Sequence, residues 1–253
     1  MDIDKIYNED CLEGMKRIPD GSIDMILCDL PYGTTARNEW DKIIPFEPLW
    51  EQYKRIIKKN GAICLWAQIP FSIKLGASNL SMLRYEWIVE KTMATGFLNA
   101  NRMPLKAHES VLVFYDGLPT YNPQKTIAET SYVRRQGDCS SKNYNALSPD
   151  KRSYGFERYP RDCIKVSNGW KRSKLKFHPT QKLVSACEYF IKTYTNEGET
   201  VLDNCMGSGT TAVACINTNR HYIGFELEKQ YYDIACKRIE SAKAERDSQL
   251  AFG

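Results

Sequence analysis

Hydrophobic and polar positions along this chain follow two periods. Ile23-Asp24-Met25-Ile26-Leu27-Cys28, Ala62-Ile63-Cys64-Leu65-Trp66 and Val111-Leu112-Val113-Phe114 are apolar runs of strand length, each bounded by Gly, Pro or charged residues. Between the first two, Leu49, Trp50, Tyr53, Ile56 and Ile57 recur at helical spacing. That spacing predicts a helix over Pro48–Lys59, with Asn60-Gly61 as its stop. Strand, helix, strand is the pattern of a parallel sheet. The pattern returns near the C-terminus. Gln181–Tyr194 predicts a helix, Thr200–Asp203 a strand, Ser208–Asn219 a helix, His221–Glu226 a strand and Lys229–Ala244 a closing helix.

Residues 116–177 read differently, with much Tyr, Ser, Asn, Arg and Lys and little apolar periodicity. The chain therefore divides into a first α/β zone (1–115), a polar insert (116–177) and a second α/β zone (178–253). At 253 residues all three fit one α/β domain, 1–253, with a sizeable core. No internal repeat or low-complexity tract interrupts it.

Charge sharpens this division. The net charge of +4 is too mild to imply a nucleic-acid partner by itself. The insert, however, holds thirteen basic and six acidic residues, a net of +7, which leaves −3 for the rest. Tyr121, Tyr132, Tyr144, Tyr154 and Tyr159 are interleaved with those cations, a composition suited to phosphate and base contact. The candidates for DNA contact are Arg134, Arg135, Lys151, Arg152, Arg158, Lys171 and Arg172; Trp170 lies among them. The nine cysteines form no CxxC pair and have no zinc-finger spacing with the three histidines. Scattered and odd in number, they point to reduced thiols and a cytoplasmic setting. The acidic start MDIDKIYNED is unlike a signal peptide, and no apolar run reaches the roughly 20 residues of a membrane helix.

Two segments carry candidate chemistry. In Val201-Leu202-Asp203-Asn204-Cys205-Met206-Gly207-Ser208-Gly209-Thr210-Thr211, a strand passes through a Gly-containing loop into a helix. Gly207 and Gly209 allow a sharp turn close to a ligand. Ser208, Thr210 and Thr211 are candidate cappers. Glu226 ends the next predicted strand, about where a Rossmann-like site holds ribose hydroxyls. With no GKS or GKT, the loop suits a ligand with a ribose and no phosphate; a plain strand-to-helix turn is the alternative. Asp29-Leu30-Pro31-Tyr32-Gly33 directly follows the first strand. Pro31 holds Leu30 extended, so that a side-chain acceptor (Asp29) stands beside a main-chain acceptor. Two acceptors aimed at an aromatic amine would make its lone pair available, and Tyr32 offers a flat face for the base. A turn residue with rim packing is the alternative here.

Together the two motifs resemble those of the amino-group DNA methyltransferases. Asp29-Leu30-Pro31-Tyr32 resembles their Asp-Pro-Pro-Tyr signature, and Asp203–Thr211 their Asp-Pro-Phe-x-Gly-Ser-Gly-Thr-Thr loop. Tyr7-Asn8-Glu9-Asp10-Cys11, Ala107–Phe114 and His178-Pro179-Thr180-Gln181-Lys182 are similar to three further family segments. The catalytic motif precedes the cofactor loop, with the basic region between, as in the permuted beta group. Leu30 departs from the first proline, and Asn204-Cys205-Met206 from Pro-Phe-x.

The resemblance implies a Rossmann-like, doubly wound S-adenosylmethionine-dependent fold with an inserted target-recognition region. It implies that Asp29 and the Leu30 carbonyl bind the target amine and Tyr32 stacks on the flipped base. Asp29, Asp203, Cys205 and the Gly207–Thr211 loop (Gly207, Ser208, Gly209, Thr210, Thr211) would line the cofactor's methionine side. Thr180 and Lys182 would lie near its carboxylate, Glu226 on its ribose, and Asp10 and Cys11 at its adenine. No metal and no cysteine nucleophile are implied. The partner it implies is double-stranded DNA, in a bacterial or phage-type setting. Aspartate at the first catalytic position favours adenine N6, with cytosine N4 as the alternative; a non-catalytic DNA-binding relative is a third reading.

Overall fold

The computed structural model describes residues 1–33, 41–133, 154–166 and 182–251. The chain divides into two compact units, one of Met1–Asn122 with Asp162–Gly253, the other of Pro123–Arg161. The insert expected over 116–177 thus includes a strand, Cys163–Val166, that returns to the main sheet of the larger unit.

The larger unit is built on an eight-stranded sheet. Its elements in chain order are β1 (Lys5–Tyr7), α1 (Cys11–Met15), β2 (Ile23–Cys28), α2 (Phe46–Ile56), β3 (Ile57–Ala67), α3 (Phe71–Ser78), β4 (Leu83–Thr95) and β5 (Lys106–Phe114). After the smaller unit's β6 (Thr126–Val133) and β7 (Tyr154–Arg158) follow β8 (Cys163–Val166), α4 (Val184–Tyr194), β9 (Thr200–Asp203), α5 (Thr210–Asn217), β10 (His221–Phe225) and α6 (Lys229–Ala251). The strand order is β1-β10-β9-β2-β3-β5-β4-β8. The strands from β1 to β3 are parallel, and β5 runs antiparallel to both β3 and β4.

Every residue of β2 is buried, as a parallel strand covered on both faces requires. Alternate residues face two separate cores. Met25 and Leu27 pack with Phe190 of α4, Ala212 and Cys215 of α5 and Ile239 of α6. Ile26 and Cys28 pack with Met15 of α1, Leu49, Trp50 and Tyr53 of α2 and Phe71 of α3. The sheet is therefore covered by helices on both sides, which is the doubly wound arrangement expected from sequence.

Asn60-Gly61 does not stop α2. The helix ends at Ile56, and Ile57 is already extended with ψ 139°. Ile57 pairs with Ile23 and Ala62 with Met25, so residues 58–61 bulge out of β3. A Cβ on Gly61 would lie 2.8 Å from the Asp24 carbonyl oxygen. That glycine permits close approach of two strands, and Lys58 on the bulge pairs with Asp24 at 2.6 Å.

The smaller unit has a two-stranded antiparallel sheet, in a stretch where little periodicity was visible. Lys125 pairs with Glu157 at 2.7 Å and lies 5.1 Å from the Tyr159 ring. The Arg158 guanidinium donates to the Thr130 and Gly155 carbonyls. No helix among the described residues is long and apolar enough to cross a membrane.

Candidate active site

The chain runs from β2 outward to β3 on one side and from β9 outward to β10 on the other, while β2 and β9 are themselves paired. Their junction is a topological switch point, where α/β sheets leave a crevice beyond the carboxyl ends of the strands. Asp29 follows the last residue of β2, and Asp203 is the last residue of β9. The sheet thus places the two candidate carboxylates on adjacent strand ends, although 174 residues separate them in sequence.

Asp29 is held in a chain of charges. Its Oδ1 accepts a hydrogen bond from the Tyr32 hydroxyl at 2.7 Å, and its Oδ2 lies 3.1 Å from the Lys182 ammonium. Lys182 also donates to Glu109 at 2.8 Å, and Glu109 pairs with Lys91 of β4 at 2.5 Å. The Lys182 ammonium lies 4.9 Å from the Trp66 ring and 5.9 Å from the Tyr32 ring, within cation–π range. Burial alone would lower the Lys182 pKa, but Asp29 and Glu109 outweigh it and hold the group above the usual lysine range. Glu109 would be raised by burial, but Lys182 and Lys91 bring it below the usual range. Asp29 is raised by burial, with Lys182 and Tyr32 opposing the shift. Leu30 is buried in the core, so its side chain packs and only its backbone is offered to a ligand. One side of the Tyr32 ring stacks on Phe71, with centroids 4.9 Å apart. Gly33 has a φ of +66°, and its N–H donates to Asp41.

Asp203 is surrounded by neutral donors. It accepts from the Thr211 hydroxyl at 2.6 Å and from the Cys205 N–H at 3.1 Å, and among the described residues no cation forms an ion pair with it. Burial pushes its pKa up to about 6. Glu226 follows β10 and accepts from the N–H groups of Gly207 at 2.7 Å and Glu228 at 2.8 Å. Burial raises it too.

The loop between them is folded differently from the capping reading. The N-cap of α5 is Gly209, with φ +82°, and no side chain caps the helix. A Cβ on Gly209 would lie 3.1 Å from that of Ala235 in α6. Thr211 fails as a capper because its hydroxyl is turned to Asp203. Ser208 and Thr210 fail because their hydroxyls instead accept from Arg238, at 2.9 and 3.3 Å. The Asn204-Cys205-Met206 departure also has a physical account. Asn204 turns inward and accepts from the Tyr53 hydroxyl at 2.5 Å. Met206 is buried against Gly224, and Cys205 alone of the three is partly exposed.

Asp10 is the N-cap of α1, accepting from the N–H groups of Leu12 and Glu13. Cys11 lies inside, 3.6 Å from the Asn204 amide. Its hydrogen bond with Cys205, together with burial, keeps the thiol neutral. Burial pushes Cys28 up to about 12. His221 pairs with Asp4 at 2.8 Å and is structural. Thr180, Arg134, Arg135, Lys151, Arg152, Trp170, Lys171 and Arg172 lie outside the described residues. Sequence reasoning gave Glu109 and Lys91 no role. The only available signal was an acid opening an otherwise apolar strand run.

Carboxylates on both sides of a switch point, with a Gly-containing turn between strand and helix, stand where α/β folds hold their ligands. The chain belongs to the DNA methylase family of N6/N4 methyltransferases, whose family model matches residues 23–237. It is similar to the Type II methyltransferase M.HpaI of Haemophilus parainfluenzae, 27% identical over 94% of this chain and 74% of that protein. It is also similar to the Type II methyltransferase M.BglII of Bacillus subtilis, 26% identical over 97% of this chain and 71% of that protein. The fold is shared with the M1.HpyAVI–SAM complex (TM-score 0.60, 23% identity, 92% of this chain and 98% of that one). It is shared as well with the cytosine-N4-specific PvuII DNA methyltransferase (TM-score 0.66, 14% identity, 96% and 92%).

Proposed function

We propose that this DNA methyltransferase transfers a methyl group from S-adenosylmethionine to the N6 amine of adenine in duplex DNA. The observation that carries the proposal is the contrast at the switch point. Asp29 is matched by an ammonium, while Asp203 is a buried carboxylate whose hydrogen-bond partners are neutral. A buried anion without a cation is costly, and a positively charged ligand would relieve it. S-adenosylmethionine carries an ammonium and a sulfonium. Glu226 uses one N–H on each oxygen and keeps lone pairs for ribose hydroxyls. The donor set therefore fits this cofactor. Gly207, Ser208, Gly209 and Thr210 would form the wall beside it, with Cys205, Asp10 and Cys11 toward the adenine and Thr180 toward the carboxylate.

When bound, the cofactor supplies an electrophilic methyl group. The chain's own part is to hold the amine. Asp29 accepts one amine N–H and the Leu30 carbonyl the other, drawing the nitrogen lone pair out of the ring. Lys182 opposes the upward shift that burial gives Asp29 and so favours the carboxylate form, which can take up the proton that the methylated nitrogen must lose. Tyr32 has Phe71 behind it and turns its other face to the base. Positioning is then the main contribution to rate. The base reaches the crevice only after leaving the duplex stack, at a cost of a few kcal/mol. Arg158 and the other cations of the insert would hold phosphates. The setting is a bacterial or phage-infected cytoplasm.

The test is methyl transfer from labelled cofactor to unmethylated DNA, followed by nucleoside analysis. Label in N6-methyladenine is expected. Label in N4-methylcytosine would overturn the base assignment. No label in DNA, with wild type and Asp29→Ala alike, would overturn the reaction.

A further inference from the structure

Beyond the crevice, the largest unexplained feature is the hairpin joining β4 to β5. The carboxyl end of β3, Ala67, pairs with Ser110 of β5. Because β5 runs antiparallel, Lys106–Glu109 continues past the sheet edge that carries Asp29. Four residues at about 3.3 Å each take it about 13 Å further. β4 accompanies it, with Glu90 paired to His108 and Thr95 to Lys106.

The hairpin ends in an ordered tip. Gly96 adopts a left-handed φ of +92°, Phe97–Asn99 forms a 3-10 turn, and the N–H groups of Arg102 and Met103 donate to the Asn99 carbonyl. The tip exposes apolar side chains: Phe97 is 76% exposed and Leu98 86%, with Met93 and Met103 beside them. Ordered backbone presenting large apolar groups to water is uncommon without a partner.

Charge identifies the partner. From Lys91 to Ala107 the chain has three cations and no acid. Lys91 is matched by Glu109 at the hairpin base, which leaves Arg102 and Lys106 as the cations beyond it, Lys106 bonded to the neutral Gln68 at 3.3 Å. The base is also tied to the crevice, since Glu109 bonds Lys182 and Lys182 bonds Asp29. Cations with no acid between them at an exposed tip suit a polyanion.

We propose that this hairpin is a second DNA-binding element, separate from the basic insert, and that Phe97 and Leu98 wedge between bases as the target leaves the stack. Proteins that distort duplexes insert apolar side chains between base steps in this way. Arg102 and Lys106 would take the flanking phosphates. The inference rests on the DNA-methylation reading, and it puts the wedge at the end of the same strand pair that carries Glu109, beyond a bulge between Glu90 and Thr95.

The test uses the full chain and a duplex carrying the site mapped from its own methylation product. In the double variant Phe97→Ser, Leu98→Ser, cofactor affinity should match wild type. Methylation of the duplex should fall at least tenfold in kcat/KM, and no more than threefold when the target base is mispaired and already loosened. Phe97→Trp should retain activity, with tryptophan fluorescence that is quenched by duplex and recovers in high salt. An active wild type matched by an equally active double variant overturns the wedge. A double variant that loses self-association while methylating normally also overturns it and assigns the surface to a second copy. If wild type methylates no DNA, the proposed reaction fails, and quenching of Phe97→Trp by duplex alone then decides the hairpin.

Discussion

Asp29 and Asp203 stand at the ends of two neighbouring strands, and burial raises both. They differ in company. Asp29 shares Lys182 with Glu109, so its charge is balanced inside the protein. Among the described residues Asp203 has neutral partners, the Thr211 hydroxyl and the Cys205 N–H, and no cation. On the proposed reading, Asp29 is an acceptor already prepared and Asp203 one that a cationic ligand would complete. A buried carboxylate can be put to either use, and its neighbours decide which.

The comparison breaks most sharply at Asp29. Asp29→Ala should lower kcat/KM for DNA by at least about 10³-fold, the upper range for a group acting on the reacting proton, a far larger loss than any in cofactor affinity by calorimetry. Equal losses in both would show that the two carboxylates are not divided in function.

Asp203 should show the opposite split. Asp203→Asn should weaken cofactor binding by about 1–3 kcal/mol at pH 8, the scale of a charged hydrogen bond, and the difference should close below pH 6 as wild-type Asp203 protonates. Stability of the unliganded protein gives the sign independently. With a folded pKa near 6 and an unfolded value near 3.9, the folded state binds the extra proton between those limits. This group's contribution is therefore greatest below about pH 4 and is lost as pH rises through 6, by about 3 kcal/mol at most. Denaturant titrations from pH 4 to 8 should show that fall in wild type and not in Asp203→Asn.

Lys182→Met would remove the balancing charge. The acid limb of kcat should move to higher pH, because Asp29 then keeps only Tyr32 against the effect of burial. An unmoved pH profile would assign Lys182 to packing against Trp66. The smallest expected effect is in the loop. Tyr53→Phe leaves the buried Asn204 oxygen without its donor and should cost about 1–2 kcal/mol in chemical denaturation, with the Asp29-dependent step unchanged.

Much of this was legible beforehand for a local reason. β2, β9 and β10 are buried on both faces and written as continuous apolar runs, and Asp29, Asp203 and Glu226 stand out because a carboxylate closes or directly follows each run. The hairpin of β4 and β5 was not legible in full. Its outer half is exposed, so the apolar run of Val111–Phe114 gives way to exposed residues toward Lys106. β8 is four residues long and, among the described residues, joins the sheet edge through β4 alone. Gly61 looked like a helix stop because a glycine that ends a helix and one that admits a neighbouring strand read alike in one dimension.

By itself, the sequence determined the α/β alternation, the order of candidate catalytic motif, basic insert and Gly-containing loop, and the carboxylates that close the strands. These follow from periods and neighbours within a few residues. Only the tertiary structure decided that Asp29 and Asp203 share a switch point, that Lys182 lies between Asp29 and Glu109, and that Thr211 serves Asp203 and caps nothing. Strand order and charge pairing join residues 73 to 174 positions apart. Such pairings depend on which buried surfaces meet, and no local pattern records that.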